Sequence, residues 1–427
     1  MNQESNRDYL IFDGCNTVEL AKQYETPLYV VSETNIINKC REIHKDFLLK
    51  YKNTKAVYAS KAFQNIEMCK LINREGLGLD VVSGGELYIA IKAGFPMENV
   101  VFHGNNKSLD ELKMAISHDV GRIVVDNDHE LQMLSQIAEK ENKIVHILLR
   151  ITPGIDVKTH KYISTGQADS KFGIPLQGNT LQDYVDKIEM MPHIKLEGFH
   201  FDIGSQLLDN EAHLMALEVL LNVMKDLRDK IGFVTSEINL GGGFGIPYIK
   251  EDKSRELKYF IEPMMKKIYE KCRLFSLQVP QVIIEPGRWI VGEAGITLYT
   301  IGSIKEIPGI RIYASVDGGM PDNPRPALYN AKYEGVIANK YHDVKDKVVT
   351  IAGKCCESGD ILIWDLKVPT VEPGDILAVM HTGAYNFSMS NNYNKLPRPA
   401  VVMVKEGESR VVVRRETYED LIRRDNY

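Results

Sequence analysis

The stretch QVIIEPG (281–287) starts as a run of branched apolar residues and stops at Glu-Pro-Gly. A short apolar run closed by turn residues reads as a strand buried on both faces. Earlier runs share that texture: AVYAS (56–60), GLDVVS (78–83), VVFHG (100–104), RIVVDN (122–127), HILLRI (146–151), KLEGFHFDI (195–203) and EINLGG (237–242). Between them lie stretches such as NIEMCKLINREG, SLDELKMAISHD, DHELQMLSQIAEKEN and HLMALEVLLNVMKDLRDKI, whose apolar residues recur with helical period. Alternating βα units with nearly continuous apolar strands imply a parallel sheet covered by helices. Eight strands is the number that closes a (β/α)8 barrel, so the α/β expectation for residues 34–292 is a TIM-like barrel. An open doubly wound sheet is the alternative topology.

After residue 292 the texture changes. ITLYTIGSIKEI, KVVTIAG, DILIWDLKV, GDILAVM and AVVMVKEGESRVVVRR are strands separated by turns, with little helical period. They predict a mostly antiparallel β domain, a β-barrel or sandwich. The early run PLYVVS (27–32) precedes the first long helix, and chain ends often lie close together. The second domain is therefore expected to combine residues 1–33 with 293–427.

Composition narrows the function classes. The 427 residues are 44% hydrophobic and 26% charged, ordinary for a folded globular protein. A net charge of −6 argues against nucleic acid or an anionic membrane as partner. No apolar run approaches the ~20 residues of a membrane helix. The start, MNQESNRDYL, lacks the basic and apolar segments of a signal peptide. Cysteines 15, 40, 69, 272, 355 and 356 show no CxxC spacing, which fits free thiols in a reducing cytoplasm.

In a barrel the active site is built at the C-terminal ends of the strands. Polar residues gather there: Ser60-Lys61, Ser83-Gly84-Gly85, His103-Gly104-Asn105, His200 with Asp202 and Ser205, Gly241-Gly242-Gly243, and Glu285 with Arg288. The run GGGFG (241–245) follows strand seven, where such barrels commonly bind phosphate, and glycines let backbone N–H groups approach phosphate oxygens. It does not match GxGxxG, and taken alone it reads equally well as a tight turn. Lys61 taken alone is an ordinary solvated charge. Together with a phosphate loop and a carboxylate at the end of strand eight it becomes a candidate Schiff-base lysine. Lysine, carboxylate and phosphate loop are what pyridoxal phosphate requires.

The motifs that carry a resemblance are VYASKAF (57–63), GLGLDVVSGGEL (76–87), HGNNKS (103–108), ISTGQADSKFG (163–173), GGGFG and EPGR. In the second domain they are VDGGMPDNPRPALYNA (316–331), AGKCCESGD (352–360) and GAYNFSMSNNYN (383–394). Over nearly the whole chain the sequence resembles the diaminopimelate decarboxylases, fold type III pyridoxal-phosphate enzymes with an alanine racemase-like barrel. That resemblance implies release of CO2 from meso-2,6-diaminopimelate to give L-lysine, a reaction of lysine biosynthesis. By motif position, Lys61 would hold the cofactor. Asp202, Ser205, Gly243, Glu285, Pro286, Gly287, Arg288 and Tyr385 would line it, with Glu285 on the ring nitrogen. Arg288, Arg325, Tyr329, Glu357 and Tyr385 would grip the substrate, and Cys356 would return a proton after CO2 leaves. The resemblance also implies a homodimer whose Cys-Glu pair serves the other subunit's site. No metal is expected.

Each residue also has an ordinary alternative. Arg325, flanked by prolines, reads as a surface arginine, Cys356 as a small buried residue and Tyr385 as core.

One position departs from the family. Its strand-six motif runs His-x-His-Ile-Gly-Ser-Gln, the second histidine stacking on the cofactor ring, whereas this chain has His200-Phe201-Asp202-Ile203-Gly204-Ser205-Gln206. Strand alternation would point His200 and Asp202 the same way, a spacing that also suits metal ligands. The competing readings are a related decarboxylase for another diamino or carrier-linked amino acid, a silent pyridoxal-phosphate-binding homologue, and a metal-dependent barrel hydrolase.

Overall fold

The computed structural model describes residues 9–154 and 169–426. Eight parallel strands form the barrel: β1 (Thr54–Ala59), β2 (Gly78–Val81), β3 (Val100–Phe102), β4 (Arg122–Val125), β5 (Val145–Thr152), β6 (Ile194–His200), β7 (Glu237–Asn239) and β8 (Gln281–Ile284). Each pairs in parallel with the next, and β8 returns to β1 through Val282–Thr54, Ile283–Lys55 and Ile284–Ala56. The sheet therefore closes, and the open-sheet alternative is excluded. Its lumen is packed by branched side chains, with Val57, Val101, Val124, Leu148 and Ile283 in one buried cluster.

Short polar caps start the helices directly behind the strands. Asn65, Ser83, Ser108 and Asn127 each accept the backbone N–H three residues ahead, at 2.9, 3.2, 3.3 and 3.0 Å. Such caps satisfy N–H groups that the first helical turn leaves orphaned. They fix where Ile66–Arg74, Gly84–Lys92, Leu109–Ser117 and Asp128–Glu141 begin, and so hold the strand-end loops short.

The chain divides into two units, Cys40–Gly245 with Ser254–Trp289, and Met1–Lys39 with Ile246–Lys253 and Ile290–Tyr427. The second unit is built on a mostly antiparallel sheet. Leu28–Ser32 lies inside it, antiparallel to Gly295–Ile307 and parallel to Ala400–Lys405. All five residues of that strand are buried, which explains the apolar run Leu28 to Val31 that precedes Ser32. The core beneath includes Leu28, Val30, Leu298, Ala378 and Val402.

Candidate active site

The barrel strands end earlier than their apolar texture suggests, and the polar residues that follow them form the site. β6 stops at His200, so strict alternation does not carry through to Asp202. The two side chains go to different partners. His200 Nε2 lies 3.4 Å from Glu285 Oε2, whereas Asp202 Oδ2 lies 3.7 Å from Lys61 Nζ. Asp202 Oδ1 also accepts the Gly204 N–H at 3.1 Å. Burial pushes the Asp202 carboxyl up, but the Lys61, Arg150 and His200 charges outweigh it and hold it below the usual carboxylate range.

Glu285 follows β8 directly and is buried. Its Oε1 accepts from Asn239 Nδ2 at 2.6 Å and from His103 Nε2 at 2.7 Å. His103 comes from the end of β3 and Asn239 is the last residue of β7, so three strand ends converge on one carboxylate. Burial alone would raise the Glu285 carboxyl, but His103 and His200 reverse this and hold it well below its ordinary value. The His103 and His200 rings meet edge to face, with centroids 4.6 Å apart. His200 Nε2 meets Glu285 at ion-pair distance without hydrogen-bond geometry, and its Nδ1 makes no hydrogen bond among the described residues. Asp80, within β2, adds a second buried carboxyl 3.7 Å from His103 Nε2. Burial pushes it up to about 7, His103 partly offsets this, and Glu285 adds to it.

A third group forms beside Ser205, whose hydroxyl accepts from Arg288 NH2 at 2.9 Å. Gly243 has φ +86°, and a Cβ there would stand 2.6 Å from the Gly204 carbonyl oxygen. Only glycine allows the chain to pass so close in that conformation. Pro286 and Gly287 are buried between Glu285 and Arg288, and a Cβ on Gly287 would meet Ala59 at 2.9 Å. These residues suit pyridoxal phosphate. There is an exposed amine at the end of β1, a carboxylate kept ionised by its neighbours, a buried imidazole whose Nε2 faces that carboxylate, and an arginine–serine pair beside a glycine-rich loop. His103, His200 and Glu285 also bring ligand atoms within 4.8 Å of one another, a grouping different from the His200–Asp202 pair suggested by spacing.

In the β unit, Arg325 is buried, not a surface residue, and its NH1 donates to Tyr248 Oη at 2.8 Å and Tyr333 Oη at 2.9 Å. Tyr329 closes the same short helix, Arg325–Tyr329, and is half-buried. Tyr385 is also half-buried, has φ +62°, and lies with its ring 5.9 Å from the Arg325 guanidinium carbon. A left-handed tyrosine is uncommon and points to a demand other than packing. Cys356 and Glu357 are exposed, and the Cys356 N–H donates to Asn394 Oδ1 at 2.7 Å. The adjacent Cys355 is the half-buried one, its thiol pushed up to about 12 by burial and then by Asp360.

Sequence reading alone did not single out Asn239, Tyr248 or Tyr333, nor give Asp80 and His103 a role. Asn239 left a faint signal as a polar residue inside the apolar run EINLGG. Residues 163–168 of the ISTGQADSKFG motif lie outside the described residues.

Comparison with known proteins gives a consistent result. The family model for the pyridoxal-dependent decarboxylase, pyridoxal binding domain, matches residues 33–292. Diaminopimelate decarboxylase of Bacillus subtilis is 47% identical over 424 residues, covering 99% of this chain and 97% of the relative. The crystal structure of diaminopimelate decarboxylase from M. jannaschii in co-complex with L-lysine superposes with TM-score 0.89 at 34% identity, covering 99% of this chain and 98% of that one. That of Helicobacter pylori, also complexed with L-lysine, gives 0.85 at 30% identity, covering 96% and 98%. With this likeness running end to end and the polar strand ends assembled as described, the chain belongs to the diaminopimelate decarboxylase family.

Proposed function

We propose that this chain is a pyridoxal-phosphate-dependent decarboxylase that converts meso-2,6-diaminopimelate to L-lysine and CO2. The observation that carries the reading is Glu285, buried yet held ionised where three barrel strands end. When bound, pyridoxal phosphate supplies an electron sink for the carbon that loses its carboxylate. Lys61 would hold the cofactor through its side-chain amine. Glu285 keeps a proton on the ring nitrogen, since an anion beside that atom favours its protonated form. Arg288, Ser205 and the backbone at Gly243 hold the phosphate, with Pro286 and Gly287 shaping the turn. Asp202 lines the site beside Lys61.

At the other end of the substrate, Arg325 takes the distal carboxylate, matching its planar fork to two oxygens. Glu357 takes the distal ammonium, and Tyr329, Tyr385 and Arg288 complete the grip. Cys356 returns a proton to the carbon that has lost CO2. We further propose a homodimer in which Cys356 and Glu357 serve the partner's site. Their exposure within one chain supports this. Among the described residues no helix is long and apolar enough to cross a membrane. The net charge of −6 supports a cytoplasmic protein that does not bind nucleic acid.

The test is to purify the holoenzyme, reduce it with borohydride and map the modified lysine, then assay CO2 release from diaminopimelate against a panel of amino acids. Label on Lys61 and preference for diaminopimelate are expected. Label elsewhere overturns the cofactor assignment, and preference for another amino acid overturns the substrate.

A further inference from the structure

Arg325 is an unusual cation. It is only 5% exposed, yet among the described residues no carboxylate lies within ion-pair distance of it. Its neighbours are aromatic. The guanidinium carbon stands 5.1 Å from the Tyr248 ring centre and 5.9 Å from that of Tyr333. Those two rings pack edge to face, 5.3 Å apart at 83°. A buried charge is expensive unless an opposite charge or full hydrogen bonding compensates it. Phenol hydroxyls and ring faces compensate in part, and an anionic ligand would complete the site.

The hydrogen bonds are also asymmetric. Tyr248 Oη and Tyr333 Oη both accept from NH1, and no other acceptor within the described residues takes an N–H from Arg325. A guanidinium NH1 carries two protons, so the pair of phenols uses that nitrogen completely. What remains is the Nε–NH2 edge, one flat fork matched to the two oxygens of a carboxylate.

We propose that Tyr248 and Tyr333 are positioning residues that fix which edge of Arg325 is offered to the substrate, and so select a substrate end that carries a carboxylate. This rests on the reading of Arg325 as the receptor for the distal carboxylate. The two tyrosines come from separate segments, one between strand-end loop and helix at 246–253, the other just beyond the Arg325–Tyr329 helix. Each hydroxyl takes one of the two NH1 protons, and losing either frees NH1 to rotate the fork out of register.

The test uses the holoenzyme with Tyr248→Phe and Tyr333→Phe, which keep both rings and their packing. Binding of L-lysine, which carries the distal carboxylate, is compared by calorimetry with binding of cadaverine, the same chain without it. Each variant should weaken L-lysine about tenfold, as for a lost hydrogen bond to a charged group, and leave cadaverine within about twofold. The KM for diaminopimelate should rise in parallel while kcat changes much less. Equal loss for both ligands, or unchanged L-lysine affinity in both variants, overturns the proposal. Absence of CO2 release by the unmodified holoenzyme would refute the substrate reading separately, since the L-lysine and cadaverine comparison does not depend on turnover.

Discussion

Asp202 faces Lys61 across 3.7 Å, so the residue that replaces an expected aromatic ring brings a charge to the amine proposed to hold the cofactor. Burial would raise this carboxyl, but the Lys61 charge foremost holds it ionised, so a fixed anion restrains that amine. Asp202→His should remove that restraint and restore a stacking surface worth ~0.5–1.5 kcal/mol, so cofactor should bind roughly two- to tenfold tighter. Fluorescence titration of the cofactor-free protein measures this, and equal or weaker binding would count against the account. Asp80 gives a prediction in pH. Burial pushes its carboxyl up to about 7 from 3.8, so the folded protein holds this proton more tightly than the unfolded chain does. The resulting stability is complete below the unfolded value and is lost as pH rises from about 4 to about 7. Asp80→Asn lacks the titration. Its melting temperature relative to the unmodified protein should therefore rise between about pH 5 and pH 8, and a flat difference would refute the assignment.

At the scale of elements, one side chain ties two of the helix starts together. Glu111 Oε2 accepts the Ser108 N–H at 2.8 Å, closing a capping box, while Oε1 accepts the Gly84 N–H at 2.6 Å at the start of the preceding helix. Glu111→Ala removes both bonds and should cost about 1–3 kcal/mol, lowering the melting temperature by a few degrees. Glu111→Gln retains one acceptor oxygen and should fall between. An Ala variant as stable as the unmodified chain would show that the strand-end loops do not depend on this tie. The box itself was legible, because Ser108-Leu109-Asp110-Glu111 carries the serine and glutamate at capping spacing. The link to Gly84 was not, since the two residues are 27 apart in sequence and meet only because β2 and β3 are neighbours. Strand ends were misjudged for a related reason. Val82, His103 and Leu240 continue the apolar or β-rich texture beyond the last ladder pairs, because loops at the mouth of a barrel are themselves packed.

At the scale of the whole molecule, periodic features were readable and long-range pairings were not. Eight apolar runs alternating with amphipathic stretches gave the strand count, since each strand is buried on both faces, whereas closure rests on the β8–β1 pairing. His103 and Glu285 are 182 residues apart, and Arg325 and Tyr248 are 77 apart, so no local spacing announces either pair. Lys61, Glu285 and Arg288 could be singled out only because strand ends share one face of a barrel. Cys356 and Glu357 present the same problem one level higher, because the groups they are proposed to serve lie on another copy of the chain. That proposal is testable without a structure of the assembly. A Lys61→Ala chain and a Cys356→Ala chain are each expected to be severely impaired alone. Mixed in equal amounts and allowed to exchange subunits, half of the dimers should be hybrid. In each hybrid one site combines the intact Lys61 of one chain with the intact Cys356 of the other, while the second site lacks both. About a quarter of the unmodified activity should therefore return, as symmetric two-fold assembly requires. No gain on mixing, once subunit exchange is verified by native mass spectrometry, would place Cys356 in the site of its own chain.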